Sequence, residues 1–413
     1  MESPDIFTAA LKLTKPWKVT RTQFDAESEE LHLYLDFPRG AHFACPTCQK
    51  ACPIHDTSEK IWRHLDFFQH KAYLHVRVPR SECPAHGVLQ IELPWSRPNS
   101  GFTLLFETLI STLAHSMPVL AIARLTGEHD TRLWRSIHFQ VSEARAKVDM
   151  SEVTIIGMDE TSVRKHHKYI TIFSDIATSK VLFATPGKGH ETVIPFKIDF
   201  ALHGGISANI KQVSMDMSPA FIKGVTEYLP QSAITFDKFH VFKIVSSALE
   251  EVRRAEQRES PEHYNILKGS RYALLKNIDN LNQKATHQVV NIAYSNLNLK
   301  TGRAWRMKKS FSEIYNLIGE EGVSALAKWC AWAVRSQLRP MIDAARTIKA
   351  HWDGVVSYFS SGVTNAVLES TNASFQAARA IARGYRNPAY AIAILYLIAG
   401  KLNIPTLNRT HTK

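Results

Sequence analysis

The 413-residue sequence predicts a multidomain α+β protein. Three observations carry that prediction. Four of the five cysteines lie between positions 45 and 83. Residues 102–148 repeat their apolar positions with a helical period. Residues 153–237 then alternate short apolar runs with helical stretches, in the order β-β-β-α-β-α-β. The expected divisions are an N-terminal segment and zinc ribbon (1–98), a helix-turn-helix-like region (99–150), an α/β core (151–244), a helical stretch (245–355) and C-terminal helices (356–413).

The front of the chain reads CPTC at 45–48 and CPAH at 83–86. Two such knuckles supply three thiolates and one imidazole, the donor set of a tetrahedral structural Zn²⁺. The expected ligands are Cys45, Cys48, Cys83 and His86. Cys52 and His55 repeat the pattern nearby, so either could replace one of them, and a group of buried free cysteines is the metal-free reading. The stretch between the knuckles alternates apolar and polar residues in its second half, as a strand does. An odd cysteine count in a chain of this size argues against a disulfide framework.

FTLLFETLISTLAHSM then reads as an amphipathic helix, Pro118 opens a second, and LWRSIHFQVSEARAKV follows a GEHD turn as a third. Helix, glycine-containing turn and basic helix is the outline of a helix-turn-helix. Arg132, Arg135 and Arg145 are its expected DNA contacts, although a small helical bundle would share the outline.

In the centre, VTIIGM runs into Asp159-Glu160, Ile210–Met215 into Asp216, and Ala233–Phe236 into Asp237. An Asp after a strand is usually a turn or cap residue. Two on neighbouring strands are different, because carboxylates held close repel one another and favour a divalent cation. Hard oxygen ligands select Mg²⁺ or Mn²⁺. A third carboxylate comes from residues 362–384, GVTNAVLESTNASFQAARAIARG, where Asn365, Glu369, Asn372, Gln376, Arg379 and Arg383 form one stripe of a helix. Glu369 would complete a set able to hold two metals for phosphodiester chemistry. Arg379 and Arg383, further along the stripe, would face DNA.

The charge supports a polyanionic partner. Fifty Lys and Arg against thirty-eight Asp and Glu leave a net +12. No apolar run reaches the length of a membrane span, and the first residues lack a signal-peptide core, so a cytoplasmic protein is expected.

Taken together, CPTC, WRHLD, RVPR, CPAHG, GMDET, SMDMSPAF, FDKFHVFK and NAVLESTNASFQAARAIARGYRN resemble the ISL3 family of bacterial insertion-sequence transposases over nearly the full chain. The resemblance implies a DDE recombinase with an RNase H-like core interrupted by a helical insertion at 245–355. It also implies metal-dependent cutting at inverted-repeat ends and joining of the 3′-hydroxyl to target DNA. Its acidic triad falls on Asp159, Asp216 and Glu369, with Asp237 and His240 as a supporting D-x-x-H pair. Ser370 departs from the Gly that many relatives carry after the glutamate. Within the insertion, Arg303, Arg306, Lys308 and Lys309 surround Trp305 and would hold DNA backbone, unless Trp305 is a core residue on a solvated helix. Synapsis of two ends implies a homodimer or larger assembly on double-stranded DNA. The competing expectation is a decayed or domesticated DNA-binding protein without catalysis.

Overall fold

The structure, a computed structural model, describes residues 3–164, 168–294 and 298–407. It divides into two compact units. The first runs to Ala146 and takes back the tail from Leu402; the second is Lys147–Lys401.

The first unit opens with helix α1 (Ser3–Ala10) and strands β1 (Lys18–Asp25) and β2 (Glu30–Asp36). The short pair β3 (Phe43–Ala44) and β4 (Ala51–Cys52) follows. A long hairpin of β5 (Ile54–Phe67) and β6 (His70–Cys83) comes next, then β7 (Gly87–Gln90). The main sheet has the order β1-β2-β6-β5, with β7 also on β6. Strict alternation builds it: Leu31, Leu33 and Leu35 on β2 and Leu74, Val76 and Val78 on β6 are buried with Trp17, Trp62 and Trp95.

Helices α2 (Leu104–Ala114), α3 (Val119–Thr126) and α4 (Asp130–Arg145) complete the unit. Thr103 caps α2 by accepting from the Phe106 N–H. Gly127, at φ 65°, ends α3 in the left-handed conformation that lets α4 turn away. Arg63 of β5 is 1% exposed and ties the sheet to that turn through Glu128, 3.4 Å from its Nε.

The second unit holds β8 (Ile155–Arg164), β9 (Lys168–Asp175), β10 (Lys180–Pro186), α5 (Val193–Leu202), β11 (Gln212–Met215), α6 (Pro219–Tyr228) and β12 (Ala233–Phe236). The expected element order is therefore present. The sheet runs β10-β9-β8-β11-β12. The first three strands pair antiparallel, while β11 pairs parallel with both β8 and β12. Its helical stretch comprises α7 (Lys238–Gln257), α8 (Pro261–Leu267), α9 (Arg271–Leu275), α10 (Gln283–Tyr294), α11 (Lys300–Ile314), α12 (Gly319–Arg335), α13 (Arg339–Ala350) and α14 (Trp352–Ser361). Helices α15 (Ala366–Ile381) and α16 (Pro388–Ala399) follow. One apolar core joins the sheet to these helices, from Met158 and Phe173 through Val241 to Trp329 and Phe359. Among the described residues no helix is long and apolar enough to cross a membrane.

Candidate metal centres

Sheet register assembles the acidic cluster. Ser214 of β11 pairs with Gly157 of β8, and Met215 pairs with Phe236 of β12. Continuing each ladder past its last pair sets Asp159, Asp216 and Asp237 level on three adjacent strands, at the carboxyl end of the parallel part. β8 does not stop at Asp159, as the sequence reading expects; it continues to Arg164 because β9 still pairs with it there. Asp159 thus lies mid-strand, just beyond the contact with β11.

Helix α15 docks onto this strand. Gly157 makes the approach possible, since a Cβ there would meet Leu368 Cδ1 at 2.2 Å. Asn365, 1% exposed, donates from Nδ2 to the Met158 carbonyl (3.3 Å), and its N–H donates to Asp237 Oδ1 (3.4 Å). One helical stretch on, Asn372 Nδ2 donates to Asp159 Oδ2 at 2.7 Å. Gln376 Nε2 reaches Thr161 Oγ1 (2.6 Å) and the Ser162 carbonyl (3.0 Å), and Arg379 Nη1 reaches Ser162 Oγ (3.0 Å). The polar stripe therefore faces β8. Arg379 is engaged with the Ser162 hydroxyl of β8, and Arg383 lies beyond the end of α15 at φ 57°. The expectation that both extend from one helix toward DNA is corrected accordingly: the stripe's periodicity is right, but the surface it meets is the sheet.

Glu369 is exposed in the first turn of α15, one turn before Asn372. The groups influence one another. Burial pushes the Asp159 carboxyl up to about 6, with Asp216 and Asp237 adding to the lift and the Glu160 N–H and His240 opposing it. Burial and then Asp237 raise the Glu369 carboxyl. His240 is raised chiefly by its contact with Asp237, Nδ1 to Oδ2 3.3 Å. A cleft of about 560 Å³ opens beside Asp216 and His240 and runs to Lys243 and Asp343. Asp159 and Glu369, both raised chiefly by burial, offer with Asp216 hard oxygen donors of the kind a divalent cation takes. The sequence reading placed Asn365 and Asn372 on the stripe but gave them no role. Their i, i+7 spacing around Glu369 was the available signal.

In the first unit, Cys45, Cys48, Cys83 and His86 bring their ligand atoms within 4.8 Å of one another. Cys48 Sγ lies 3.7 Å from Cys83 Sγ, and His86 Nδ1 lies 3.7 Å from Cys45 Sγ and 3.5 Å from Cys83 Sγ. Three sulfurs and one imidazole at this separation fit Zn²⁺. The backbone N–H groups of Ala85 and His86 point at Cys83 and, with its thiol neighbours, hold it down to about 7, favouring the thiolate that a metal requires. Cys52 is buried beside the cluster with its thiol donating to the Lys50 carbonyl, and His55 sits by Asp56. Neither joins the converging set.

The expected DNA contacts divide in two. Arg135 is exposed on α4. Arg132 is held by Glu128 and lies 4.3 Å over the Phe102 ring, while Arg145 is half-buried near the end of α4. In α11, Lys308 is buried and donates to the carbonyls of Leu274 (3.2 Å), Leu275 (2.7 Å) and Lys276 (3.1 Å), closing the end of α9. Burial pushes its ammonium down to about 8. Trp305 is 3% exposed; Arg306 donates to the Ala293 carbonyl and Arg303 to that of Ser336. Lys308 and Trp305 are thereby corrected from a DNA surface to helix packing, with Arg303 and Arg306 half-buried on carbonyls, while Lys309 stays on the surface 3.9 Å from Glu313.

Comparison with known proteins bears on both centres. A family model described as "Transposase", of the ISL3 DDE type, matches residues 156–395. A "Helix-turn-helix domain of transposase family ISL3" matches residues 91–141. A "zinc-finger of transposase IS204/IS1001/IS1096/IS1165" matches residues 41–86. The chain is 29% identical over 399 residues to the transposase for insertion sequence element IS1557 of Mycobacterium tuberculosis, covering 89% of this chain and 88% of that one. It is 27% identical over 371 residues to the transposase for IS1001 of Bordetella parapertussis, covering 87% and 89%.

Proposed function

The chain belongs to the ISL3 family of DDE transposases, and from that premise we propose that Asp159, Asp216 and Glu369 hold two Mg²⁺ or Mn²⁺ ions for cutting element ends and joining the 3′-hydroxyl to target DNA. One observation carries the assignment: the register that sets Asp159 level with Asp216, with α15 tethered to Asp159 through Asn372. Glu369 lies about one helix turn before Asn372 on the same helix, and Asp237 raises its carboxyl, which supports its reading as the third ligand. Bound there, the ions would activate the attacking water or 3′-hydroxyl and stabilise the leaving oxygen.

The chain's own residues supply placement. Strand ends fix Asp216 and Asp237, and the Asp237–His240 pair sits at the start of α7, where the Asp237 contact favours the protonated imidazole. The mixed order β10-β9-β8-β11-β12, antiparallel and then parallel, supports an RNase H-like core. Residues 245–355 lie between Asp237 and Glu369 in sequence and read as its helical insertion. The thiol and imidazole cluster would take one structural Zn²⁺. The helix-turn-helix, with Arg135 exposed on α4, would grip double-stranded inverted-repeat DNA, and pairing of two ends calls for a dimer or larger assembly. Such a protein works on the nucleoid in the cytoplasm.

The test is cleavage and strand joining on DNA carrying the element's end, in Mg²⁺ or Mn²⁺. Asp159→Ala, Asp216→Asn and Glu369→Gln should each lower the rate roughly 10³-fold or more with DNA binding retained. Near-normal cleavage by any one would remove that residue from the ligand set.

A further inference from the structure

Three buried polar atoms of the α15–β8 contact have no partner among the described residues, Asn365 Oδ1, Asn372 Oδ1 and Arg379 Nε, and of these three side chains it is that of Asn372 that donates to the Asp159 carboxylate. Asn372 places its amide Nδ2 on Asp159 Oδ2 at 2.7 Å, while its carbonyl Oδ1 is buried without a partner. A buried amide carbonyl left unpaired is costly and uncommon, so its presence beside a carboxylate cluster calls for a donor that the protein itself does not provide. The other Asp159 oxygen, Oδ1, already accepts from the Glu160 N–H at 2.8 Å. Both oxygens of this carboxylate are thus oriented before any ion arrives, one by its own strand and one by a side chain from a helix more than two hundred residues later.

The neighbours of Asn372 on the stripe behave differently. Gln376 and Arg379 donate to Thr161 and Ser162, two and three residues beyond Asp159, and touch none of the carboxylates. Asn365 secures the other end through the Met158 carbonyl and Asp237. Docking of α15 therefore does not depend on Asn372 alone. Its distinguishing contact is with the proposed metal ligand.

We propose that Asn372 is a positioning residue of the acidic site: its Nδ2 fixes the Asp159 carboxylate, and its Oδ1 accepts a hydrogen bond from water in the hydration shell of a divalent ion held there. This rests on the reading of Asp159 as a metal ligand. Outer groups that orient a ligand commonly contribute about 10- to 100-fold to metal affinity, and their loss is felt without loss of the fold.

The experiment titrates Mn²⁺ into the full-length protein without DNA and measures free Mn²⁺ by electron paramagnetic resonance. The zinc content of every variant is confirmed unchanged, and each variant is also melted in Mn²⁺-free buffer. Asn372→Ala should weaken Mn²⁺ binding about tenfold. Gln376→Ala, which removes a comparable helix-to-strand hydrogen bond away from the carboxylates, should leave it within about twofold. If Asn372→Ala does not fold, Asn372→Ser carries the same test. Unchanged Mn²⁺ affinity in the Asn372 variant, or an equal loss in Gln376→Ala, would overturn the inference while leaving the metal site standing. Unchanged affinity in Asp159→Ala would instead remove the metal-ligand reading, and the inference with it.

Discussion

The thiol cluster of the first unit and the carboxylate cluster of the second both crowd acidic groups together, yet they are built in opposite ways. Cys45 with Cys48, and Cys83 with His86, come from two tight knuckles, and among the described residues the apolar neighbours packed with them are Cys52 and Leu89. There is too little apolar surface here to hold the ligands together without an ion. Asp159, Asp216, Asp237 and Glu369 come from three strands and a late helix, backed by a core that includes Met158, Met215 and Phe236. Here the fold holds the charges against their own repulsion. The first cluster offers a soft donor set that a metal would tie together, whereas the second gathers hard oxygens that the fold already holds in place.

Three perturbations sharpen that contrast. Cys83→Ser should weaken zinc binding by roughly 100-fold or more and loosen the knuckles, read as lost zinc by elemental analysis and faster amide exchange around residues 41–90. Retained stoichiometric zinc would break the comparison. Asp159→Asn should do the reverse to its own unit. The folded-state carboxyl is lifted to about 6 from an ordinary 3.8. Between those values the folded chain binds the extra proton, so stability present at low pH is lost as pH rises toward 6. The loss is at most about 3 kcal/mol. In metal-free buffer at pH 7.5 the Asn variant should therefore melt higher than wild type, and the two should converge near pH 4. An inactive variant that is also more stable is the signature of a site held against its preference. The smallest effect is expected at Gly157→Ala, whose new methyl would press on Leu368 and Ile176 and cost about 1–2 kcal/mol in urea denaturation. It should also slow cleavage by shifting α15.

The same contrast explains what could be read in the sequence. Knuckle ligands three residues apart declare themselves, because the spacing is the geometry. The strand run to Asp216 and Asp237 was equally legible, since apolar runs ending in an acid give both the element and its end. Periodicity identified the stripe on α15 but could not say what it meets, and the partner turned out to be β8. Lys308 was misread for a related reason. A lysine in a polar helix looks like surface, and only the tertiary fold brings the open carbonyls at the end of α9 to its ammonium. Gly157 carried a hint that was not used: a glycine inside an apolar strand often marks close approach of another element.

Leu407 donates its N–H to Thr112 on α2, and Ile404 is buried within the first unit. A ribosome delivers those residues only after it has made everything from Lys147 to Lys401. The unit that carries the helix-turn-helix is therefore completed after the second, although most of it is made first. The first unit is thus discontinuous in sequence, and its last contacts form only after the whole of the second unit has been synthesised.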